Sequence, residues 1–247
     1  MVKKFFVTAL VSFIFCGTVK AEAYYTNDNG VILSKPEYDF IVELYNENYP
    51  SIITIDEYNT LKDNNIFGQE IRKVSTDDAI TNPSIGLLSG SGEFHETSHK
   101  RLEVGCACGD TCLVRATLVW KVKPSTRSYE LFGGMQVGSS APSGISSHMY
   151  IDGDANAPVE YIHNSIGASA THRLPNDTSF DSLAFDLSFV VAKKGRVTVS
   201  YQHAKKNITL VNSRRFTFNY SGYGNVYLFD QTVRPYYDQM SGLELIL

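Results

Sequence analysis

From about residue 94 onward, apolar and polar side chains alternate along several short segments of the chain. Because successive side chains of a β-strand point to opposite faces of its sheet, this alternation predicts strands with one buried and one solvent-facing side. The apolar members are Val114, Ala116, Leu118 and Trp120; Phe185, Leu187, Phe189 and Val191; Val197, Val199 and Tyr201; Ile208 and Leu210; and Phe216, Phe218 and Tyr220. Short strands with tight connections predict a mainly β fold, an antiparallel β-sandwich, and leave jelly-roll and immunoglobulin-like arrangements undistinguished.

The pattern changes in residues 34–63, where apolar side chains recur at helical spacing. Two capping signatures open this region, Ser34 with Glu37 and Thr54 with Glu57. We therefore predict a short helical hairpin in front of the sandwich. We expect it to be a packing element, and the alternative is a small recognition module.

Composition divides the chain further. Residues 64–92 contain Asn-Asn, Asn-Pro and Ser-Gly-Ser-Gly sequences that interrupt regular elements, and we interpret them as a linker. The predicted organisation is a signal peptide at 1–21, an extended segment and helical hairpin at 22–63, the linker, and the β-sandwich domain at 93–247. Residues 138–182, rich in Gly, Ser, Asn and Pro, are expected to hold two short strands and long loops.

The N-terminus has the three parts of an export signal. Lys3 and Lys4 precede an uncharged apolar stretch that ends at Phe15, and small residues follow at Val19 and Ala21. This order predicts cleavage after Ala21 or nearby, and a secreted or extracellular mature chain. No later segment is apolar for 18 residues, so we expect no transmembrane segment in the mature chain.

The net charge of the chain bears on the classes of partner that it can bind. The chain has 22 basic and 26 acidic residues, and removal of residues 1–21 takes three lysines with it. The mature chain is therefore acidic and has no basic block, which argues against nucleic acid as a partner. Tyr and Phe are abundant, with 15 and 14 copies, and this is typical of half-buried pleated surfaces.

Three cysteines lie close together in the predicted mature chain. Cys108 and Cys112 flank a Gly-Asp-Thr turn, so export to an oxidising compartment predicts a disulfide between them. Cys106 could replace Cys108 as the partner. A metal site is a weaker interpretation, because three adjacent thiolates lack the two separated pairs of a structural zinc site.

Residues 95–99 match the H-E-x-x-H pattern of zinc peptidases. On a helix, His95 and His99 would share a zinc ion and Glu96 would activate the bound water. The flanking residues favour a strand or loop, however, and a strand would separate the two histidines by roughly 13 Å. A zinc-dependent metallopeptidase therefore stays the alternative to a protein with no catalytic residue, no bound metal and no cofactor.

Six short segments, spread over most of the chain, together carry a resemblance to known proteins. They are Asn29-Gly30-Val31, Ser34-Lys35-Pro36-Glu37-Tyr38, Ile55-Asp56-Glu57-Tyr58, Trp120 with Pro124 to Tyr129, Ser221-Gly222-Tyr223-Gly224 and Tyr237-Asp238-Gln239-Met240-Ser241-Gly242. Together they resemble a group of uncharacterised secreted proteins of Gram-positive bacteria. The resemblance implies export and no particular activity, and it carries over no functional residue.

These patterns favour a non-enzymatic secreted or cell-surface protein that binds an unknown extracellular ligand, either a protein or a glycan. The expected contact region is 138–182, in which Tyr150, Tyr161, His148 and His163 could be exposed to a ligand. A further alternative is a membrane-active or pore-forming protein, because alternating Ser-rich segments can form barrel hairpins.

Overall fold

The computed structural model describes residues 23–75, 99–126, 128–137, 143–156, 158, 160–163, 167–176, 179–204, 219–220, 226–227, 237–239 and 243–247. The predicted signal peptide, residues 76–98 and the predicted strands at 208–210 and 216–218 lie outside the described residues. The signal peptide and the predicted domain boundaries therefore stay predictions.

Three helices and sixteen strands are formed by the described residues. In chain order they are β1 (Tyr25–Thr26), β2 (Ile32–Leu33), α1 (Lys35–Leu44), α2 (Tyr49–Ile52), α3 (Ile55–Asp63), β3 (Ile71–Ser75), β4 (Lys100–Cys108), β5 (Cys112–Trp120), β6 (Tyr129–Val137), β7 (Ser143–Ile151), β8 (Asp154–Asn156), β9 (Glu160–His163), β10 (Gly167–Arg173), β11 (Leu183–Val191), β12 (Arg196–Ala204), β13 (Asn219–Tyr220), β14 (Val226–Tyr227), β15 (Tyr237–Gln239) and β16 (Leu243–Ile246).

Most strands belong to two antiparallel sheets. In the described part of the chain, the first sheet has the order β3-β4-β5-β11-β7-β8. In the second sheet, β12 pairs with β6, β6 with β10, and β10 with β9, while β15 and β16 both pair with β12 at the other edge. The chain crosses repeatedly between the sheets, since β5, β7 and β11 lie in the first and β6, β10 and β12 in the second. These crossings bring residues distant in sequence to the same end of the sandwich.

The main core lies between the facing sides of the two sheets. The first sheet contributes Leu102, Val104, Val114, Ala116, Leu118, Phe185, Leu187 and Phe189, and the second contributes Phe132, Ala168, Ala170, Val197, Val199, Tyr201, Leu243 and Leu245. The sheets approach closely at Gly134, where an added Cβ would lie 2.5 Å from the Phe189 ring. The predicted antiparallel β-sandwich is confirmed, and its core is formed by the alternating apolar positions.

The predicted helical hairpin is also confirmed. Ser34 and Thr54 cap α1 and α3, and each forms a reciprocal capping box, with Glu37 and Glu57 respectively. The short helix α2 lies between them. Because both helix starts are specified by local side-chain to main-chain hydrogen bonds, the sequence alone sufficed to place them.

The helices and the preceding β1-β2 pair cover the outer side of the first sheet. A second apolar core joins Leu33, Phe40, Ile41, Leu44, Leu61 and neighbouring residues to Ala107, Leu113, Tyr150 and Val190 of the sheet. The prediction of a solvent-facing side for these strands is therefore wrong: Arg115, Asp186 and Ser188 point outward and yet are all buried. Alternation identifies a strand, but it does not reveal that another segment covers the polar side.

The second sheet departs from the prediction in the same way. Thr198, Ser200 and Gln202 occupy the outward positions of β12 and are buried. Among the described residues, β14 lies against β12 and β6 on this sheet.

Two regions contain more strand than the sequence predicted. Residues 71–75, within the predicted linker, form β3 and pair with β4. Residues 138–182 contain the four strands β7 to β10, of which β7 and β10 pair along most of their length with neighbours inside the two sheets. The high content of Gly and Ser in 138–182 favours loops. These residues are nevertheless held in strands, because their main chains are hydrogen-bonded to neighbouring strands inside the sheets.

A buried ion pair joins the N-terminal helices to the first sheet. Arg115 Nη2 lies 3.3 Å from Asp186 Oδ2, and the two side chains are 4% and 1% exposed. Arg115 Nη1 donates hydrogen bonds to the main-chain carbonyls of Leu44 and Tyr45, at 3.1 and 2.7 Å. The Tyr150 hydroxyl donates to Asp186 Oδ2 at 2.7 Å. One arginine therefore connects the end of α1 to strands β5 and β11.

The ionisation of Asp186 depends on these neighbours. Burial by itself raises the pKa of this carboxyl, but the hydrogen bond with His148 and the charge of Arg115 outweigh burial and hold the pKa below its usual value. The pKa of His148 shifts in the opposite direction. Burial lowers this pKa, but the hydrogen bond with Asp186 and the charge of Asp186 outweigh burial and raise it above its usual value. Both shifts favour the charged forms of the pair.

Asp186→Ala should lower the free energy of unfolding by about 3–5 kcal/mol, because it leaves the Arg115 guanidinium buried without its counter-ion. Denaturant unfolding followed by circular dichroism measures the loss. The matched control is Asp39→Ala, which breaks the solvent-exposed pair with Lys35 and should cause no comparable loss. Similar stabilities for the two variants would show that the buried pair does not hold the helices to the sheet.

A buried histidine lies between the sheets. His172 is 1% exposed, and its Nε2 lies 2.8 Å from the Ser147 hydroxyl. Burial lowers its pKa to about 4. The unfolded chain, with an ordinary histidine pKa near 6.5, binds a proton in this range that the folded protein does not.

Stability should therefore fall as the pH is lowered from about 6.5 to about 4, and His172 should account for about 3 kcal/mol of that fall. The variant His172→Gln keeps a hydrogen-bonding group beside Ser147 but does not titrate. Unfolding free energies measured across this range should show a shallower slope for the variant. Identical slopes would mean that His172 binds its proton equally well in the folded protein.

Candidate binding site

Of the three residues that the zinc hypothesis needs, the structure describes only His99. His95 and Glu96 lie outside the described residues. His99 is exposed just before β4, and its carbonyl accepts hydrogen bonds from the main-chain N–H groups of Lys121 and Val122. No group of three or more His, Cys, Asp or Glu side chains that could hold a metal ion occurs among the described residues. The role of the 95–99 segment stays a prediction.

The cysteines lie at the opposite end of β4 and β5. Cys108 and Cys112 are joined by a disulfide across the turn, and Cys106 is a buried free thiol. The turn contacts the end of α3: Asp110 N donates to the Asn64 carbonyl at 2.8 Å, and Thr111 Oγ1 donates to Asn64 Oδ1 at 2.8 Å. The disulfide therefore shapes a hairpin that packs against the N-terminal helices.

Burial raises the pKa of the Cys106 thiol, so this thiol stays protonated and unreactive in the folded protein. Alkylation of residues 22–247 without reductant should modify no cysteine in the native state and one after unfolding. Reduction before alkylation should raise the number to three, and mass spectrometry counts each step. Three alkylated cysteines without reductant would show that the bridge is absent.

The expected contact residues in 138–182 are only partly in position for a ligand. Tyr150 was expected to be exposed, but it is buried because the N-terminal helices cover it, and its hydroxyl binds Asp186. The ring of His148 lies edge-on to Tyr49, and its Nδ1 is 3.3 Å from Asp186 Oδ1. The side chains of Tyr161 and His163 lie outside what the structure describes. Tyr150 therefore serves for packing, whereas His148 also lines an open pocket of about 300 Å³ together with Glu57 and Ser146.

An open pocket lies at the end of the sandwich opposite the disulfide. Its volume is about 460 Å³, and we call it the Trp120 pocket. Its walls are formed by His99, Trp120, Val122, Lys123, Pro124, Ser125, Thr126 and His203. The segment that follows β5 supplies most of them, and the end of β12 supplies His203. The pocket therefore lies where the two sheets meet, outside the region that the sequence favoured.

A hydrogen-bonded network forms the inner wall of the Trp120 pocket. Trp120 Nε1 donates to the Tyr201 hydroxyl at 3.1 Å, and that hydroxyl donates to Glu130 Oε2. The other oxygen, Glu130 Oε1, bonds to His203 Nδ1. Both oxygens of this fully buried carboxylate are therefore engaged, one by the buried Tyr201 and the other by His203, which lines the pocket.

Strand register brings these residues together. Glu130 on β6 is paired with His203 on β12, and Lys100 on β4 is paired with Trp120 on β5. Tyr201 points into the core from the second sheet and meets Trp120 from the first. Its position follows the alternation of Val197 and Val199, and His203 continues the same side of the strand.

The aromatic and charged groups pack closely. Lys100 Nζ lies 4.8 Å from the centre of the Trp120 ring and 5.7 Å from that of Tyr201, within the range of cation–π interaction. The His203 ring is edge-on to Trp120, with centres 5.0 Å apart. Contacts with Lys100, Tyr201 and His203 therefore fix the orientation of the Trp120 indole, part of which lines the open pocket.

This arrangement suits binding. Glu130 acts on His203 and Tyr201, and it is a positioning residue because its oxygens face these partners. The indole of Trp120, the ring nitrogen of His203 directed away from Glu130, and the hydroxyl of Ser125 can together contact a small polar ligand.

Sequence reasoning missed this site because its members are far apart in the chain. Trp120 is the single tryptophan, and the sequence indicated an apolar strand position and a place in one resemblance segment, neither of which implies a binding role. Glu130 and His203 carry no motif, since their proximity depends on the pairing of β6 with β12.

Comparisons with known proteins give little further information. No protein-family model matches the chain, and no curated protein matches its sequence. Among solved structures, the chain is similar to the KRT10-binding region domain of the pneumococcal serine rich repeat protein PsrP, with 12% identity over 54% of this chain and 85% of that chain, and a TM-score of 0.28. A likeness at this level assigns no ligand. No described helix is long and apolar enough to cross a membrane.

Proposed function

We propose that this chain is an exported, non-enzymatic β-sandwich protein that binds an extracellular ligand in the Trp120 pocket. The observation that carries the proposal is the pocket itself: a partly exposed indole lines it, and a buried network holds that indole in place. Such pre-organisation lowers the entropy lost when a ligand binds. The signal-like N-terminus supports export.

The geometry favours recognition over reaction. Glu130, a buried carboxylate beside the pocket, has one oxygen bonded to Tyr201 and the other to His203, so neither is directed at a ligand. The groups that face the pocket are an aromatic ring, hydroxyls, histidines and a lysine, which provide packing and hydrogen bonds. A glycan or the side chain of a protein partner would fit this set.

Because Trp120 is the single tryptophan, its fluorescence reports directly on the pocket. Residues 22–247 should be screened against a glycan array and immobilised extracellular-matrix proteins, and the hits titrated while Trp120 emission is followed. A true ligand should change the emission in a saturable manner, and Val122→Asp, which alters an exposed wall residue, should weaken binding at least tenfold.

The matched control is Ile246→Asp, at another exposed apolar residue outside the pocket, which should leave affinity unchanged. A hit that binds both variants equally, with no change in Trp120 emission, would place the binding site elsewhere and refute the proposal.

A further inference from the structure

We infer that the pocket between α3 and β7 binds an alkylammonium group, either the end of a lysine side chain or a free primary amine. This site is distinct from the Trp120 pocket and does not depend on the proposed function. Its volume is about 300 Å³, and we call it the His148 pocket. The polar side chains of its wall include Thr54, Asp56, Glu57, Thr60, Ser146 and His148.

The two threonine hydroxyls of the wall have already donated their hydrogens within the protein. Thr54 Oγ1 donates to Glu57 Oε2 at 2.9 Å, and Thr60 Oγ1 donates to the Asp56 carbonyl at 2.8 Å. A hydroxyl has one hydrogen and two lone pairs, so a hydroxyl that has donated can only accept a further hydrogen bond. Both threonines therefore act as acceptors toward a ligand.

Ser146 is in the same state. The Tyr49 hydroxyl donates its hydrogen to Glu57 Oε1 at 2.7 Å. The Ser146 hydroxyl lies 3.4 Å from that Tyr49 oxygen, and because Tyr49 has used its hydrogen, Ser146 is the donor of this contact. Ser146 Oγ therefore presents lone pairs to the pocket, and Glu57 adds a negative charge.

His148 adds an acceptor with a defined direction. Its Nδ1 lies 3.3 Å from Asp186 Oδ1, and an ionised carboxylate can only accept, so Nδ1 carries the ring hydrogen. In the neutral ring, Nε2 therefore has the lone pair. Nε2 forms no hydrogen bond with any residue in the described part of the chain, and the ring lines the pocket.

These groups match an ammonium ion. An alkylammonium has three N–H donors, no acceptor and one positive charge, and the wall offers lone pairs together with the carboxylates of Asp56 and Glu57. Asp56 is exposed and forms no ion pair with a described residue. A carboxylate ligand would find these side chains without a hydrogen to donate, and its own oxygens would lose their bonds to water. Charge and hydrogen bonding therefore select the same class of ligand.

The start of α3 lies beside the pocket, and a helix N-terminus by itself attracts anions. In α3, however, the main-chain N–H groups of Thr54 and Glu57 are bonded within the capping box. Asp56 and Glu57 also place two carboxylates in the first turn. Their charge exceeds the partial charge of about +0.5 at a helix start, so the local field stays negative.

Protonation of His148 opposes this ligand, because Nε2 then becomes a donor on a positively charged ring. Burial lowers the pKa of His148, but the hydrogen bond and charge of Asp186 and the charge of Glu57 raise it above its usual value. Binding should therefore strengthen as the pH rises through this pKa, while the ammonium keeps its charge up to about pH 10. The other titratable or charged groups around the ring are Arg115 on β5, Tyr150 on β7, His172 on β10, Tyr49 on α2 and Asp56 on α3.

The test titrates residues 22–247 by calorimetry at about pH 8.5 with n-butylammonium, tetramethylammonium, n-butanol and sodium butyrate. Butylammonium should bind at least tenfold more tightly than the other three, because it alone combines the positive charge with N–H donors. A Gly-Lys-Gly peptide distinguishes the two sources of the group. Tighter binding than butylammonium indicates a lysine of a protein partner, and equal or weaker binding indicates a free amine.

Asp56→Asn should weaken butylammonium binding about tenfold, because it removes a charged acceptor from the wall. Asp63→Asn, at an exposed carboxylate of the same helix outside the pocket, is the matched control and should not. The affinity of the unaltered protein should rise at least threefold from about pH 6 to about pH 8.5. His148→Gln keeps a hydrogen-bonding side chain that does not titrate, so it should abolish that rise.

Other outcomes overturn the inference. Equal affinity for tetramethylammonium would show attraction by charge alone, and a preference for butanol or butyrate would make the site one for a neutral or anionic ligand. Lack of binding by every amine probe, or equal affinity of the Asp56→Asn and Asp63→Asn variants, would also refute it. If butylammonium changed Trp120 emission, it would lie in the Trp120 pocket instead, since the two pockets share no described wall residue.

Discussion

Arg115 places a positive charge where water is excluded, between the N-terminal helices and the outer side of the first sheet. A guanidinium in such a place must have its counter-ion and its hydrogen bonds supplied by the protein, because the cost of burying it uncompensated is several kcal/mol. Asp186 provides the charge, and the carbonyls of Leu44 and Tyr45 accept two of the hydrogen bonds. The end of α1 and strands β5 and β11 are therefore tied to one another. The N-terminal helices and the first sheet consequently share a core.

This requirement also determines what the middle of the chain can do. Tyr150 bonds to Asp186, and His148 pairs with the same carboxylate beneath Tyr49. Tyr150 is thus committed to the covered side of the sheet, because the helices need it as their packing partner. His148 is only partly covered, since its side chain also lines an open pocket between α3 and β7.

At the end of the sandwich opposite the disulfide, a second buried charge has a different consequence. Glu130 also has both oxygens satisfied, but its partner His203 lines an open pocket, and its partner Tyr201 accepts a hydrogen bond from Trp120, which lines the same pocket. The network holds Trp120 and His203 in fixed orientations, while the segment 121–126 adds exposed polar groups. A rigid inner wall with an accessible outer rim is the arrangement expected of a selective binding site. The two networks therefore have different roles. The network of Arg115 and Asp186 joins the N-terminal helices to the first sheet, and the network of Glu130 orients the side chains that line the pocket.

The sequence by itself determined the local elements of this protein. Period-two alternation identified β5, β11 and β12, and the capping residues Ser34 and Thr54 identified α1 and α3, because these signals depend on residues only a few positions apart. The tertiary structure alone decided which polar faces are covered, that 71–75 and much of 138–182 pair as strands, and that Trp120, Glu130 and His203 meet. Strand order and register between distant segments produce those contacts, and nothing in the spacing of residues along one strand encodes which strand will lie beside it.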